Sequence, residues 1–221
     1  EAVVVPFSAR PEGNEALVAV VRDLLVASGQ LLTGALLIKN PYDDDLYAYA
    51  DDALETFASA KYHHLATVAM FLGAREVSFL EAKAEKDVRQ AEAGMRVRIP
   101  GLAGAEGDVT TEVARKLEER LQGEMKFAGS EPDIEEARSY IRKHHLHNDH
   151  QIQALVSLRS GGNHLLHYKM ALSASRESDA NLKCAAKISS KIPSKAIDLG
   201  ATFARQSNSF RNIEIITEIA F

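Results

Sequence analysis

The period of the hydrophobic positions changes several times along this chain, and each change marks a different predicted element. Residues 2–7 (Ala-Val-Val-Val-Pro-Phe) are a short apolar run closed by Pro6, which reads as a buried strand. Asn14 then stands as a helix cap, with Leu17, Val18, Val21, Leu24 and Leu25 at three- and four-residue spacing and Gly29 as the stop. A second apolar run, residues 35–38, ends at Asn40-Pro41 and completes a strand–helix–strand unit. Asp51-Asp52 opens a long helix that runs to about Leu72, just before Gly73. Its stripe is Leu54, Phe57, Ala58, Leu65, Val68, Ala69 and Leu72.

Beyond Gly73 the period drops to two. Val77 and Phe79, then Ala91, Ala93, Met95, Val97 and Ile99, alternate with polar neighbours and predict a β-hairpin turning near Glu85-Lys86-Asp87. Residues 101–107 are rich in glycine and read as a linker or loop. A helical run follows. Asp108 caps a helix through Val113, Leu117 and Leu121; Ser130 starts one through Ile134, Ala137 and Ile141; Asn148 starts one through Ile152, Leu155 and Val156, ending at Ser160-Gly161-Gly162. Four period-two runs close the pattern, at residues 166–174, 180–188, 197–203 and 213–221. They predict a four-stranded antiparallel meander with one apolar face, its last strand an edge open to pairing.

The fold class expected is therefore α+β: strand–helix–strand and long helix, β-hairpin, helical run, and C-terminal antiparallel meander. The organisation expected is an N-terminal region, 1–100, followed by helices and sheet over 101–221, the two forming either separate units or one domain.

Composition excludes several classes. With 46% hydrophobic and 26% charged residues the chain is neither collagen-like nor disordered, and no apolar run approaches the ~18 residues of a membrane-spanning helix. Only 6% of residues are aromatic and none is Trp, which leaves little for stacking on bases. The 26 Lys+Arg against 31 Asp+Glu give a net charge of −5, against a nucleic-acid partner. The basic runs Arg96/Arg98 and Lys183/Lys187/Lys191 are sparse. A lone Cys184 cannot form an internal disulfide and reads as a small buried hydrophobe; with no signal-like segment at Glu1 onward, a reducing cytoplasm is the expected location.

Five of the eight histidines fall between His144 and His164. From His145 the chain spells H-x-H-x-D-H, which resembles the metal-binding motif of the metallo-β-lactamase hydrolase family. The resemblance implies a hydrolytic zinc centre, with His145 and His147 as ligands of a first metal and Asp149 and His150 as ligands of a second. The residues themselves also fit a helix junction: Lys143, His144, His145 and His147 meet the carbonyl end of one helix, and Asn148 and Asp149 the N–H end of the next. The flanking caps favour this second reading.

Asp43, Asp44, Asp45, Asp51 and Asp52 could gather Mg²⁺ or Ca²⁺, but they fit better as an acidic loop complementing a helix dipole. His63 and His64 point about 100° apart on a helix and cannot readily share an ion, so one is expected partly buried and the other solvated. No nucleophile elbow or phosphate loop occurs.

The leading expectation is thus a non-catalytic cytoplasmic interaction or assembly protein that self-associates or joins a larger complex, without cofactor. A metal-dependent hydrolase built on His145–His150 is the alternative. A second alternative is a membrane-inserting protein using the C-terminal strands, which are long enough to cross a bilayer in an assembled barrel.

Overall fold

A computed structural model describes residues 23, 25–29, 37–86, 109–161, 165–173 and 210–221. The predicted strand at 2–7, the second strand of the 77–99 hairpin, the Gly-rich segment, Cys184 and the two middle runs of the C-terminal β region lie outside them. The mixed helix and strand content is that of an α+β protein, with two antiparallel sheets.

The first sheet is a small hairpin, β1 (Leu37–Lys39) against β2 (Tyr47–Tyr49). Its loop is held from inside. Buried Asn40 accepts from Tyr42 N at 2.9 Å through Oδ1, and its own N–H donates to Leu46 O at 2.8 Å. This fixes the loop around half-buried Asp43 and leaves Asp44 exposed.

Helix α1 (Ala53–Phe71) follows the 3-10 turn Ala50–Asp52 and is the spine of the molecule. Every member of its predicted stripe is buried, and so are Glu55, Lys61 and His64. The helix stops where predicted, at Gly73, whose φ of 87° is left-handed. A side chain there would also collide with the backbone, since a Cβ would lie 2.2 Å from Ser130 O.

The second sheet has the order β4-β3-β6-β5, all antiparallel, with β3 (Glu76–Lys86), β4 (Glu124–Lys126), β5 (His167–Ser173) and β6 (Phe210–Ala220). Two features correct the sequence expectation. The strand expected at the edge, β6, lies inside the sheet with β3 on one side and β5 on the other. The first and last of the four C-terminal runs are therefore direct neighbours, which a consecutive meander does not allow. The long-edge argument for self-association loses its strand. The inward face of β6 is as predicted: Ile213, Ile215 and Ile219 are buried, with Thr217 among them.

Strand β3 changes phase midway. Val77 and Phe79 face inward at its start, Ala82 and Ala84 at its end, because the register against β6 slips between Phe79 and Glu81. The extra residue, Leu80, is turned outward. Such a bulge moves every later side chain to the other parity.

Helix α2 (Val109–Leu121) buries Val113, Leu117 and Leu121 as predicted. Helices α3 (Ile134–Lys143) and α4 (His150–Arg159) each start one to three residues later than the sequence suggested. Asp133, not Ser130, caps α3 by accepting from Glu136 N; Asp149, not Asn148, caps α4 by accepting from Gln151 N and Ile152 N. One core joins α1, the sheet and the three later helices, so β3 from the first half of the chain is packed between strands of the second. No helix among the described residues is long and apolar enough to cross a membrane.

Candidate metal centre

Lys61 and His64 lie one turn apart on the buried side of α1, and both face the α3–α4 junction. That junction is short. His144 ends α3, His145 takes the left-handed conformation (φ 56°), Leu146–Asn148 form a 3-10 turn, and Asp149 caps α4. The tight turn brings two polar side chains, His144 and Asp149, against α1.

His144 enters a cluster with Asp43 and His64. Asp43 stands between the two imidazoles: its Oδ2 is 3.0 Å from His64 Nε2 and its Oδ1 is 2.8 Å from His144 Nδ1. One ligand atom from each residue lies within 4.8 Å of the others, and among the described residues this is the group of three or more His, Cys, Asp or Glu side chains that converges so. His64 is buried, whereas Asp43 and His144 are 22% and 15% exposed, so the cluster has a wet side. Burial holds the His64 imidazole below its usual pKa of 6.5 against the opposing pull of Asp43. A neutral imidazole is the form that binds a cation.

Aromatic packing fixes the rings. Tyr140 lies against His144 (4.3 Å between centroids) and against His64 (5.7 Å), the two imidazoles are 4.5 Å apart, and Tyr42 meets His64 edge-on. Tyr140 Oη is 2.8 Å from His64 Nδ1, so both nitrogens of His64 have partners.

The residues singled out by the H-x-H-x-D-H pattern are placed differently. Asp149 is buried and committed, its Oδ2 2.6 Å from Lys61 Nζ and its Oδ1 capping α4. His145 is half exposed, 3.5 Å from Asp44, whose carboxyl is held below its usual range by Lys39 first and His145 second. His147 and His150 are exposed. The junction thus has the geometry of two helix ends meeting.

Of the candidates weighed from sequence, the structure brings together one from each of three runs: Asp43 from Asp43–Asp45, His64 from the His63-His64 pair, and His144 from the histidine-rich segment. His63 is exposed, as expected for one of that pair. A sequence signal for His64 existed: with Phe57, Lys61 and Val68 it keeps the four-three-four spacing of the buried stripe, and a histidine there needs a polar partner inside.

Three other buried polar groups lack hydrogen-bond partners among the described residues: the Glu55 carboxylate, Tyr62 Oη and Thr217 Oγ1. Burial raises Glu55 above its usual 4.5 although Lys116 approaches to 3.6 Å, and it pushes the Tyr62 hydroxyl up to about 12.

Compared with known protein families, curated proteins and solved structures, the chain matches none.

Proposed function

We propose that this protein binds a divalent first-row transition cation, zinc being the natural test ion, through Asp43, His64 Nε2 and His144 Nδ1. The observation that carries this reading is the convergence of the donor atoms within 4.8 Å, with oxygen–nitrogen separations of 2.8 and 3.0 Å. Ligands about 2.0–2.2 Å from a tetrahedral or octahedral ion stand roughly 3–3.5 Å apart, so little movement is needed to receive one. Two imidazole nitrogens and one carboxylate oxygen suit zinc or iron(II) better than calcium or magnesium, which prefer oxygen throughout.

Three protein donors leave room for water on the exposed side, as in hydrolytic zinc centres and unlike closed structural ones. The chemistry this supports is activation of a bound water, which moves the metal-dependent alternative from His145–His150 to a site one element away. The test is zinc titration by calorimetry, with elemental analysis of the purified protein. One equivalent per chain, lost in His64→Ala and in Asp43→Ala but kept in His147→Ala and His150→Ala, is the expected result. Absence of stoichiometric binding, or its survival in His64→Ala, overturns the reading.

A further inference from the structure

We propose that Tyr140 is the positioning residue of this centre, its hydroxyl determining which nitrogen of His64 is available to a cation; the inference rests on the metal-binding reading above. A neutral imidazole carries one N–H, and His64 has a hydrogen-bonding group facing each nitrogen. With no cation, Nε2–H donates to Asp43 Oδ2 and Nδ1 accepts from the Tyr140 hydroxyl. With a cation on Nε2, that nitrogen gives up its proton, Nδ1 carries one instead, and the hydroxyl must accept. The imidazole stays neutral throughout, since one proton leaves Nε2 for solvent and one arrives at Nδ1.

A hydroxyl can take either role, whereas a backbone carbonyl could only accept and an ammonium only donate. In the accepting role Tyr140 needs a destination for its own proton. Thr67, one turn beyond His64 on α1, is close enough to hold the Tyr140 hydroxyl down against the raising effect of burial, and its own hydroxyl donates to His63 O at 3.0 Å, which leaves it lone pairs with which to accept. The Tyr140 ring, held against Phe71 (5.6 Å) and His144 (4.3 Å), keeps the hydroxyl in place in both states. Histidine ligands are generally oriented by such a partner on the second nitrogen, and its loss weakens metal affinity about 10–100-fold.

The experiment compares wild type, Tyr140→Phe and Thr67→Val by zinc calorimetry and by ¹⁵N NMR of the His64 ring, with thermal melts to confirm folding. Wild type is expected to switch from the Nε2–H to the Nδ1–H form on zinc binding. Tyr140→Phe, which keeps the ring packing, should bind zinc about 10–100-fold more weakly and lose the Nε2–H preference of the zinc-free state. Thr67→Val should weaken binding in the same direction by a smaller factor, and decides the matter alone if Tyr140→Phe does not fold. Wild-type zinc binding with both variants unchanged in affinity and in ¹⁵N pattern overturns the role of Tyr140 and leaves the metal reading standing. Failure of wild type to bind zinc overturns both.

Discussion

Helix α1 reaches the α3–α4 junction through two neighbouring side chains, and the two contacts differ in kind. Lys61 Nζ donates to Asp149 Oδ2 and to Ser173 O, both at 2.6 Å, with both charged side chains almost wholly buried. The other oxygen of Asp149 takes two backbone N–H groups. His64 meets Asp43, whose two oxygens face two imidazole nitrogens. Residue type does not separate the pair, since each centres on an aspartate that accepts from nitrogen. What separates them is the protons: those facing Asp149 belong to an ammonium and to amides, which offer no second site within the same group, whereas an imidazole proton can move to the other nitrogen. A carboxylate whose lone pairs meet fixed protons is a structural tie, and one whose lone pairs meet movable protons can exchange them for a cation.

The comparison is broken or sharpened most strongly at Asp149. Asp149→Ala removes the carboxylate 2.6 Å from buried Lys61 and a helix cap together, so denaturant unfolding should show a loss of about 3–5 kcal/mol. Adding Lys61→Met should recover part of it; a cost for Asp149→Ala below about 1 kcal/mol would remove the distinction between tie and site.

Next in size is the cation itself. Zinc at a hundred times its dissociation constant should stabilise the wild type by about 2.7 kcal/mol, seen as a higher denaturant midpoint, and should leave Asp43→Ala unmoved.

A smaller effect follows pH in metal-free protein. His64 is held below 6.5 by burial, so the native state binds fewer protons than the unfolded chain; its contribution is complete above pH 6.5 and is lost as pH falls toward the lowered value. Unfolding midpoints measured from pH 7 down to 5 should fall, and His64→Gln should flatten the slope.

Glu55 supplies the opposite and smallest trend. Its raised pKa means that its contribution is complete below the usual 4.5 and is lost as pH rises through the higher native value, because a buried carboxylate that accepts no hydrogen bond among the described residues must then ionise. The advantage of Glu55→Gln over wild type should therefore grow from pH 4 toward neutrality.

The fold was legible where burial writes a period into the residues. The stripe of α1, the trio Val113, Leu117 and Leu121, and the alternation of β6 each depend on one face of one element, which local spacing reveals. Strand order was not legible, because nothing within residues 213–221 says that Glu76 to Lys86 and His167 to Ser173 will flank them. The slip at Leu80 exists only relative to β6, so β3 read alone shows just its first two inward residues. For the same reason the site stayed hidden: Asp43, His64 and His144 are unremarkable in their own runs, and their contacts span 21 and 101 positions. The H-x-H-x-D-H spelling was the more visible pattern, yet among the described residues the donor atoms that converge are those of Asp43, His64 and His144.

The central place of β6 bears on how the molecule is made. As a ribosome extends the chain, β3 and β5 emerge before β6 and have no pairing with one another, so the four-stranded sheet has no middle until residues 210–220 are released. The rows Val77–Ala84 and Met170–Leu172 must wait for β6 on one side, their apolar faces covered, among the described residues, by helices formed earlier from local contacts. Closing a register that joins Glu76 to Ala220 is a long-range, late event of the kind that slows folding and exposes nascent chains to aggregation. Cells lacking holdase chaperones are where this topology should first betray itself, as insoluble nascent product with helical content largely intact.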